Sequence, residues 1–563
     1  HALYEDVFSQ YGPFYYFFNS TLFRVLGLDV THDAGRLITL ALWLLAALVG
    51  GLAVAILTRS LLLGMAGESL FYGALSTLGN EPMHPGGLLG FLLAAITMVM
   101  TIVPRAPRLS GFLLGALAGA TLLVKVNVGA FALLSLGATL FLVTHPFARS
   151  LPLRILAATA MVGTPFVVLA RDLNAGWAAS YATLVGLSAL ALVIVTFRSL
   201  PDRVEGHRVL VWLVVGLGGV VVFVASVTMA TGTSLGTFVE GTFLRPIRQP
   251  EAFSLPFAMP VWAPVAATAG VVAASLAVRR RQESSTSQRS VMLAAVGRVA
   301  AGFLIWIALG TVGHIPGAPL SLGLPLAWII AVPPRTGGAG LTPLVRCSLA
   351  ALAILQGLHA YPVAGSQMAW SGMLLIPVGA ICIADGWMAF RARAGDVEVR
   401  RRIVAHAFVV LPLLAFVAWL VLWSILPSVR NGFLAYDLGV QPQLPGASRL
   451  RIAQSQAHTY ERLIEILRNR CSTFLSVPGL NSLYLFSDSE PPTYLNATAW
   501  MYLFDAPTQA RVVERSARIE GLCTVRSPGI LDFWRQGRPV PPGPLVDFVS
   551  RDLQRVERVD VYT

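Results

Sequence analysis

Lysine is almost absent from this chain. Among 563 residues with 41 Lys+Arg, Lys125 is the single lysine, and it lies in the apolar run from Thr121 to Gly129. An ammonium group between hydrophobic stretches is costly unless it has a partner or a function. Its compact charge suits a phosphate group. The alternative is a remnant of an arginine-favouring genome, with the side chain reaching toward the membrane interface.

Charged residues are scarce, at 12% of the chain, while 55% are hydrophobic and the mean hydropathy is +0.69. This composition excludes an ordinary soluble protein. Apolar runs of roughly 17–23 residues recur, and such runs are long enough to cross a bilayer as helices. The net charge of +13 comes from arginines in short loops between these runs, so it indicates membrane topology rather than nucleic-acid binding.

Four cysteines are too few for a disulfide scaffold. Cys347 and Cys382 lie in apolar runs and are expected to be packing residues. Cys471 and Cys523 lie near predicted strands of the polar C-terminal part. A disulfide between them and two separate buried thiols are the two alternatives. The chain begins at His1 without an initiator methionine, signal peptide or first apolar run, so we expect a preceding helix.

Roughly fourteen apolar runs are candidate membrane spans. With Arg59 placed inside, strict alternation puts every strongly basic short loop on the inner side. The segments that fall outside are 1–33, the loop 78–85, the Lys125–Asn127 junction, the loop 230–259 and everything after about 427. The candidate spans are 34–58, 60–76, 87–104, 109–124, 127–144, 152–170, 177–197, 209–229, 260–278, 291–313, 319–332, 341–358, 371–388 and 404–426.

The chain thus divides into a first outer loop (1–33), a transmembrane helical domain (34–426) and an outer C-terminal domain (427–563). In the last segment, the pattern beginning at Tyr460 predicts an amphipathic helix, and 509–519 predicts another. Strands are predicted at 471–477, 482–487 and 522–525. The prediction is a mainly α polytopic membrane protein with a small extracytoplasmic α/β domain.

Polar residues of chemical interest gather on the predicted outer side. Glu5 and Asp6 form an acidic pair in the first segment, which either accepts a proton from a hydroxyl group or caps the next helix. Glu81 and His84 lie in a stiff Pro/Gly loop that suits a metal or a sugar hydroxyl, although a lone histidine is more often a structural hydrogen-bonding residue. Metal binding is left open.

Two further segments carry unusual polar residues. Lys125 and Asn127 are two residues apart and should flank a break between spans, not share a helical face. Arg245 and Arg248 lie in the outer loop that contains Gly232-Thr-Ser, against the positive-inside preference, and anionic headgroups or phosphates would explain them. Interface arginines without a ligand are the alternative. The set as a whole favours an anionic lipid-linked substrate and a general base.

The first segment carries a resemblance to a known family. The run Tyr4-Glu5-Asp6, with Tyr11-Gly12-Pro13, Leu26-Gly27 and Arg36 after it, resembles the first outer loop of GT-C-type membrane glycosyltransferases. These polytopic enzymes use polyprenyl-phosphate sugars and include bacterial mannosyl- and aminoarabinosyltransferase-like groups. The His84-Pro85 loop, the Lys125-x-Asn127-x-Gly129 element and the Gly232-Thr-Ser loop are similar to bacterial members. The resemblance covers most of residues 1–270 loosely.

The resemblance implies a GT-C-like helical bundle in which a first-loop carboxylate is the catalytic base. Asp6 matches that position, with Glu5 as its neighbour. The base deprotonates an acceptor hydroxyl, which attacks the anomeric carbon with inversion, and Lys125, Arg245 and Arg248 stabilise the leaving polyprenyl phosphate. The expected substrate-binding residues are Tyr11, Glu81, His84 and Asn127. Members often carry a second acid, for which Glu81 and Asp33 are candidates. No cofactor is certain, and a divalent metal is left open.

The implied partners are a polyprenyl-phosphate-linked sugar, a lipid, glycan or protein acceptor, and membrane lipids, but no nucleic acid. The implied location is the bacterial cytoplasmic membrane, with the C-terminal domain extracytoplasmic. Two other functions stay open. A flippase or transporter of lipid-linked saccharide predicts internal repeats and polar residues at the bilayer midplane, and a non-catalytic scaffold predicts a partner for the C-terminal domain.

Overall fold

The computed structural model describes residues 1–198, 202–252, 254–257, 259–282, 288–311, 317–335, 338–363, 365, 367–394, 410–553, 557–560 and 562. Helices dominate this part of the chain. Within it, ten helices are long and apolar enough to cross a membrane, and three shorter helical segments are also apolar. The protein is therefore a multi-pass helical membrane protein.

Every predicted span overlaps a helix, although parts of 291–313 and 404–426 lie outside the described residues. The helices of the first two thirds are α1 (Pro13–Leu26), α2 (His32–Thr58), α3 (Leu61–Ser76), α4 (Pro85–Met100), α5 (Pro107–Val124), α6 (Val126–Val143), α7 (Leu151–Val168), α8 (Gly176–Phe197), α9 (Gly206–Ala230), α10 (Leu235–Val239), α11 (Arg245–Ala252), α12 (Ala263–Gln282), α13 (Gln288–Gly310), α14 (Ala318–Gly323), α15 (Pro343–Gln356), α16 (Gln367–Ser371) and α17 (Leu375–Ala394).

The remaining helices lie in the later part of the chain, and four short strands form two parallel pairs. The helices are α18 (Val410–Leu438), α19 (Gln454–Arg470), α20 (Ser482–Ser487), α21 (Trp500–Leu503), α22 (Ala506–Ser516), α23 (Pro528–Arg535) and α24 (Pro544–Asp547). The strands are β1 (Thr144–His145), β2 (Asp202–Glu205), β3 (Thr473–Val477) and β4 (Leu522–Arg526). Strand β1 pairs with β2, and β3 pairs with β4.

The chain forms two compact units. The first unit combines three separated segments, and the second contains most of the apolar helices. The first comprises His1–Ile38, Val224–Phe253 and Ile425–Thr563, and the second comprises Thr39–Phe223 and Ser254–Ser424.

Helix α15 is the central element of the second unit. Together with the 3₁₀ turn Gly357–Ala360 it forms a span that is 94% buried inside the protein. Pro343 occupies its first turn, where no backbone donor is needed, and the Thr342 hydroxyl accepts from the Val345 N–H. A helix that is apolar all round is suited to this enclosed position.

A buried ion cluster lies at the N-terminal end of α15. The Asp385 carboxylate accepts from both terminal nitrogens of Arg346, at 2.5 and 2.9 Å, and lies 3.9 Å from Arg298. Nearby, the Asp202 carboxylate accepts from the Leu344 N–H at 2.7 Å. Asp202 thus caps the first turn of α15, where the helix dipole favours a negative charge.

Hydrogen bonds in the second unit agree with the predicted alternation. Lys125, Asn127 and their partners Gln367 and Tyr361 all lie at span ends that alternation places outside. The ion cluster at Asp385 lies among ends that it places inside. These contacts agree with the side that the basic loops assign to each span end, because alternating helices bring ends of equal parity to the same side.

The C-terminal segment contains several of the predicted elements. Helix α19 and strands β3 and β4 confirm three predictions, and α22 overlaps the predicted helix 509–519. The Cys471–Cys523 disulfide is formed. This segment clusters with residues 1–38 and 224–253, so an independent α/β domain at 427–563 stays a prediction.

One local prediction was wrong, and one segment has structure that the sequence did not predict. Residues 482–487 form helix α20 instead of a strand, because Leu483 and Phe486, three residues apart, are both buried on one face. The loop 230–259 is largely helical over 235–252, through α10, a π-helical segment (Glu240–Leu244) and α11. The Ser234 hydroxyl starts this stretch by accepting from the Thr237 N–H at 3.2 Å.

Candidate functional site

Lys125 lies at the break between α5 and α6, as the sequence predicts. Its backbone is extended, with φ −151° and ψ 112°, and it ends one helix and begins the next. Gly129 makes this sharp junction sterically feasible, because a Cβ there would lie 2.2 Å from backbone atoms of Leu122. The spacing Lys125-x-Asn127-x-Gly129 therefore has a local structural cause.

Four side chains from distant parts of the sequence surround Lys125. Its Nζ donates to the Gln367 Oε1 at 2.7 Å and lies 5.8 Å from the centre of the Trp370 ring. The Trp370 ring in turn lies 6.3 Å from the His84 ring and 3.5 Å from the His359 ring, centre to centre. We call Lys125, His84, His359, Gln367 and Trp370 the Lys125 cluster.

The ammonium group of Lys125 has no salt bridge with a carboxylate among the described residues. Burial lowers the pKa of Lys125 to about 7, because the charged form loses its hydration. An amide oxygen and an aromatic face compensate only part of that loss. The site is thus an electropositive position that an anionic group would complete.

His84 forms the N-cap of α4 and is held in one orientation. Its Nδ1 accepts from the Gly86 N–H at 2.9 Å, and its Nε2 lies 3.6 Å from the Glu81 carboxylate. Burial, assisted by the charge of Lys125, lowers the pKa of His84 to about 3. The imidazole is therefore neutral at physiological pH, and its Nε2 carries the proton.

Several buried polar atoms around the Lys125 cluster have no hydrogen-bond partner among the described residues. They include both ring nitrogens of His359 and the indole nitrogen of Trp370, in side chains that are 0% and 1% exposed. Gln356 Oε1, one turn before His359, is also buried without a partner among these residues. A buried polar group without a partner costs about 1–3 kcal/mol, so the arrangement is typical of a site that hydrogen-bonds a ligand.

Asn127 extends the polar region beside the Lys125 cluster. Its side-chain amide donates to the Tyr361 carbonyl at 3.4 Å, and its Oδ1 accepts from the Val128 N–H at 2.9 Å. The Tyr361 hydroxyl donates to the Asp172 carboxylate at 2.9 Å. Burial and that carboxylate both raise the pKa of Tyr361.

The predicted catalytic base Asp6 and its acidic neighbour Glu5 lie in the first unit. Asp6 is half-buried, and its Oδ2 accepts from the Ala2 N–H at 2.9 Å. Glu5 is exposed, and its Oε1 accepts from the Ser234 N–H at 3.2 Å. Hydrogen bonds from Thr237 and Ser234 lower the pKa of Glu5. Neither carboxylate caps α1, whose N-cap residue is Gly12.

The backbone at this segment is strained. Tyr4 has φ 71°, a left-handed conformation that residues other than glycine rarely adopt. Its ring packs against Gly241, where a Cβ would lie 2.4 Å from it, and its hydroxyl donates to the Tyr11 carbonyl at 2.8 Å. Met83, beside His84, has φ 60°. Both strained residues adjoin predicted site residues, which is a recurring property of functional sites.

The two predicted phosphate-binding arginines differ in their surroundings. The Arg245 guanidinium lies 5.1 Å from the centre of the Phe8 ring, so α11 packs directly against the first segment. Arg248 is exposed and bonds to Glu240 at 3.1 Å. Its charge is already matched, and Arg245 is therefore the better phosphate-binding candidate of the two.

The structure thus places the predicted site residues in two groups. Glu5, Asp6, Tyr11, Arg245 and Arg248 belong to the first unit. Glu81, His84, Lys125 and Asn127 belong to the second unit.

Asp33 and Glu81, the two candidates for a second acid, both contact described residues. Asp33 accepts from the Ser448 hydroxyl at 2.7 Å and from the Arg449 N–H, which is a structural arrangement. Glu81 faces His84. Across the described residues, no group of three or more His, Cys, Asp or Glu side chains is placed to hold a metal ion.

Sequence reasoning missed His359, Gln367 and Trp370. They lie more than 230 residues after Lys125 or His84 and belong to no local motif. One signal was present: His359 and Gln367 follow the apolar run 341–358, on the predicted outer side. The sequence does not show which distant loops contact each other, so this signal did not distinguish the two residues from other loop residues.

No protein-family model matches this chain, and no curated protein matches it significantly.

Proposed function

We propose that this protein is a GT-C-type membrane glycosyltransferase that transfers a sugar from a polyprenyl-phosphate donor to an extracytoplasmic lipid, glycan or protein acceptor. The location we propose is the bacterial cytoplasmic membrane, with the segment 427–563 as an outer α/β domain. The observation that supports this function best is the Lys125 cluster, where the ammonium group of a half-buried lysine, without a carboxylate partner among the described residues, adjoins unpartnered donors.

Phosphate is the group that suits this cluster. It carries negative charge and several acceptor oxygens, and the described donors are the Lys125 ammonium, the indole N–H of Trp370 and a ring N–H of His359. The surrounding spans are apolar, which suits a prenyl chain attached to the phosphate. A charged group of this kind acts on the leaving phosphate more strongly in a water-poor site than in bulk water.

The chemical step follows from the resemblance of the first segment. Asp6 takes the proton from an acceptor hydroxyl, whose oxygen forms a bond to the anomeric carbon. The bond from that carbon to the phosphate oxygen breaks, and polyprenyl phosphate leaves with the electron pair. Lys125 stabilises this developing charge, and Arg245 is the second cation that we assign to it.

A binding measurement tests the phosphate assignment. Purified protein is titrated with a polyprenyl phosphate and with the polyprenol of equal chain length. We expect the phosphate to bind more tightly, and Lys125→Met to weaken its binding about 10- to 100-fold, the range for one charge-assisted hydrogen bond. Polyprenol binding should not change. Arg105→Gln, at the predicted inner side, is the matched loss of a positive charge and should leave both affinities unchanged.

Two outcomes would overturn the assignment. One is equal affinity of the wild-type protein for the phosphate and the alcohol. The other is an unchanged preference for phosphate in Lys125→Met, with thermal stability showing that the variant is folded.

A further inference from the structure

A second candidate ligand site lies between α7, α8 and α12 and shares no residue with the Lys125 cluster. These helices enclose a groove of about 560 Å³ within the second unit. Most of its wall is apolar, including Ile155, Ala158, Val193 and Val278. Its size falls within the range of pockets that hold small ligands, and an aliphatic chain matches its lining.

One end of the groove is basic. Arg198 and Arg279 both line it, and both are exposed. Arg154 lies next to them, because its guanidinium stacks 4.2 Å from the centre of the Phe197 ring, which is also part of the wall. The three arginines come from different helices or helix ends, so the fold brings their charges together.

These charges are not neutralised within the described part of the chain. No salt bridge there involves Arg154, Arg198 or Arg279. Arg154 donates one bond to the Thr196 carbonyl at 3.3 Å, while its buried Nε has no partner among the same residues. The groove therefore presents unpaired positive charge beside an apolar surface, which is the complement of an anionic lipid.

The groove is also accessible from the bilayer. Helix α7 forms one wall and is only 17% buried inside the protein, so most of its surface faces lipid. The basic end lies at span ends that the arginine pattern places on the inner side. Basic pockets between transmembrane helices on the cytoplasmic side are a recognised way to bind anionic headgroups.

We propose that this groove binds one anionic phospholipid of the inner leaflet, with an acyl chain along the apolar wall and the headgroup phosphate at Arg198 and Arg279. Arg154 supports the phosphate from beside Phe197. This site is independent of the transferase proposal, because it shares no residue with the Lys125 cluster or with the segment around Asp6.

Native mass spectrometry of the purified full chain tests the proposal. The protein is incubated with phosphatidylglycerol or phosphatidylcholine of identical acyl chains, and the retained lipid is counted. We expect preferential retention of one phosphatidylglycerol. The double variant Arg198→Gln/Arg279→Gln should weaken that binding about 10- to 30-fold, since each basic side chain near an anionic headgroup contributes about fivefold in affinity.

Two further variants separate a specific site from general charge attraction. Arg105→Gln/Arg108→Gln removes two positive charges from another predicted inner loop and should leave retention unchanged. Ala158→Phe fills the apolar wall without altering charge and should lower retention of phosphatidylglycerol. Each variant is compared by size-exclusion profile and melting temperature.

The proposal is overturned if the two lipids are retained equally by the wild-type protein. It is also overturned if the Arg105/Arg108 pair matters as much as the Arg198/Arg279 pair, because the attraction would then be unspecific. Unchanged retention in a folded Ala158→Phe variant would show that the lipid lies elsewhere.

Discussion

At the scale of single residues, Lys125 carries most of the functional inference. An ammonium group that is partly removed from water without a carboxylate partner is unfavourable. Lys125 is half-buried, and the Gln367 amide and the Trp370 ring provide its described contacts. Arginine at the same position would present a flat fork with five donors in place of a compact charge. A single-atom anion or a phosphate oxygen fits the lysine better, which gives a physical reason for one lysine among many arginines.

The burial of Lys125 predicts a pH-dependent stability of the ligand-free protein. Its pKa in the folded state is about 7, below the ordinary value of 10.5. Between these values the unfolded chain binds the proton and the folded chain does not, so the free energy of unfolding rises with pH. We expect the melting temperature of the wild-type protein to rise from pH 7 to pH 9 relative to that of Lys125→Met.

His84 does not contribute to the pH dependence of the wild-type protein in this range, since its pKa of about 3 keeps it neutral from pH 7 to pH 9. His359, which also lies beside Lys125, is present in both proteins. A difference in melting temperature that stays constant from pH 6.5 to pH 9.5 would contradict the assigned burial of Lys125.

The sequence predicted the residue-scale features unevenly. The break at Lys125 was predictable, because a charged residue and Asn127 interrupt two apolar runs. Its partners were not, since His359, Gln367 and Trp370 are brought to it by packing of distant helices. Asp6 was predicted as a base from its motif, whereas its bond to the Ala2 N–H depends on the folded turn.

At the scale of elements, α15 depends on buried charge at its N-terminal end. Asp385 on α17 holds Arg346 on α15 and lies close to Arg298 on α13. The carboxylate also accepts from the Ala339 N–H at 3.0 Å. One carboxylate thus joins three helices and the turn before α15, and both guanidinium groups rely on it.

Replacement of Asp385 by asparagine should therefore destabilise the protein strongly. The variant leaves the buried Arg346 and the partly buried Arg298 without their counter-charge. Loss of one partner of a buried pair costs about 3–5 kcal/mol. Thermal unfolding in detergent provides the measurement.

The control for this prediction is Asp532→Asn. That carboxylate pairs with Arg535 at 3.2 Å but is 68% exposed, and an exposed pair contributes about 1 kcal/mol or less. Equal melting temperatures of Asp385→Asn and the wild-type protein would contradict the role assigned to the buried cluster.

The sequence predicted the type of an element correctly where the apolar run was long. Apolar runs of helical length predicted the spans, because burial in a bilayer requires continuous hydrophobicity. The segment 482–487 is too short for its hydrophobic period to be decisive, because the continuous apolar run 483–486 is compatible with a buried strand or a buried helix. The stretch 235–252 lacks an apolar run, so its helices were not visible.

At the scale of the whole molecule, the positions of the arginines in short loops predicted more of the topology than any other sequence feature. They predicted which span ends share a side, and the contacts of the second unit agree with this. The division into two compact units was not predictable, because the first unit assembles three segments that are far apart in sequence. Such long-range assembly leaves no local pattern.

In the proposed transfer reaction Asp6 is the general base, and its backbone contact allows a substitution that keeps the turn. In Asp6→Asn the amide oxygen can still accept from the Ala2 N–H, so the turn is retained while the base is lost. Glu5→Gln is the matched control, since its amide oxygen can still accept from the Ser234 N–H. Both changes remove one negative charge from adjacent positions.

The most direct measurement of the central claim is sugar transfer from polyprenyl-phosphate donors to endogenous acceptors, in membranes that contain the wild-type protein, Asp6→Asn or Glu5→Gln. We predict that Asp6→Asn lowers the rate about 100-fold or more, the usual contribution of a general base. We also predict that Glu5→Gln keeps a rate close to that of the wild-type protein, with equal membrane insertion of all three. Transfer by Asp6→Asn at the wild-type rate would contradict the account.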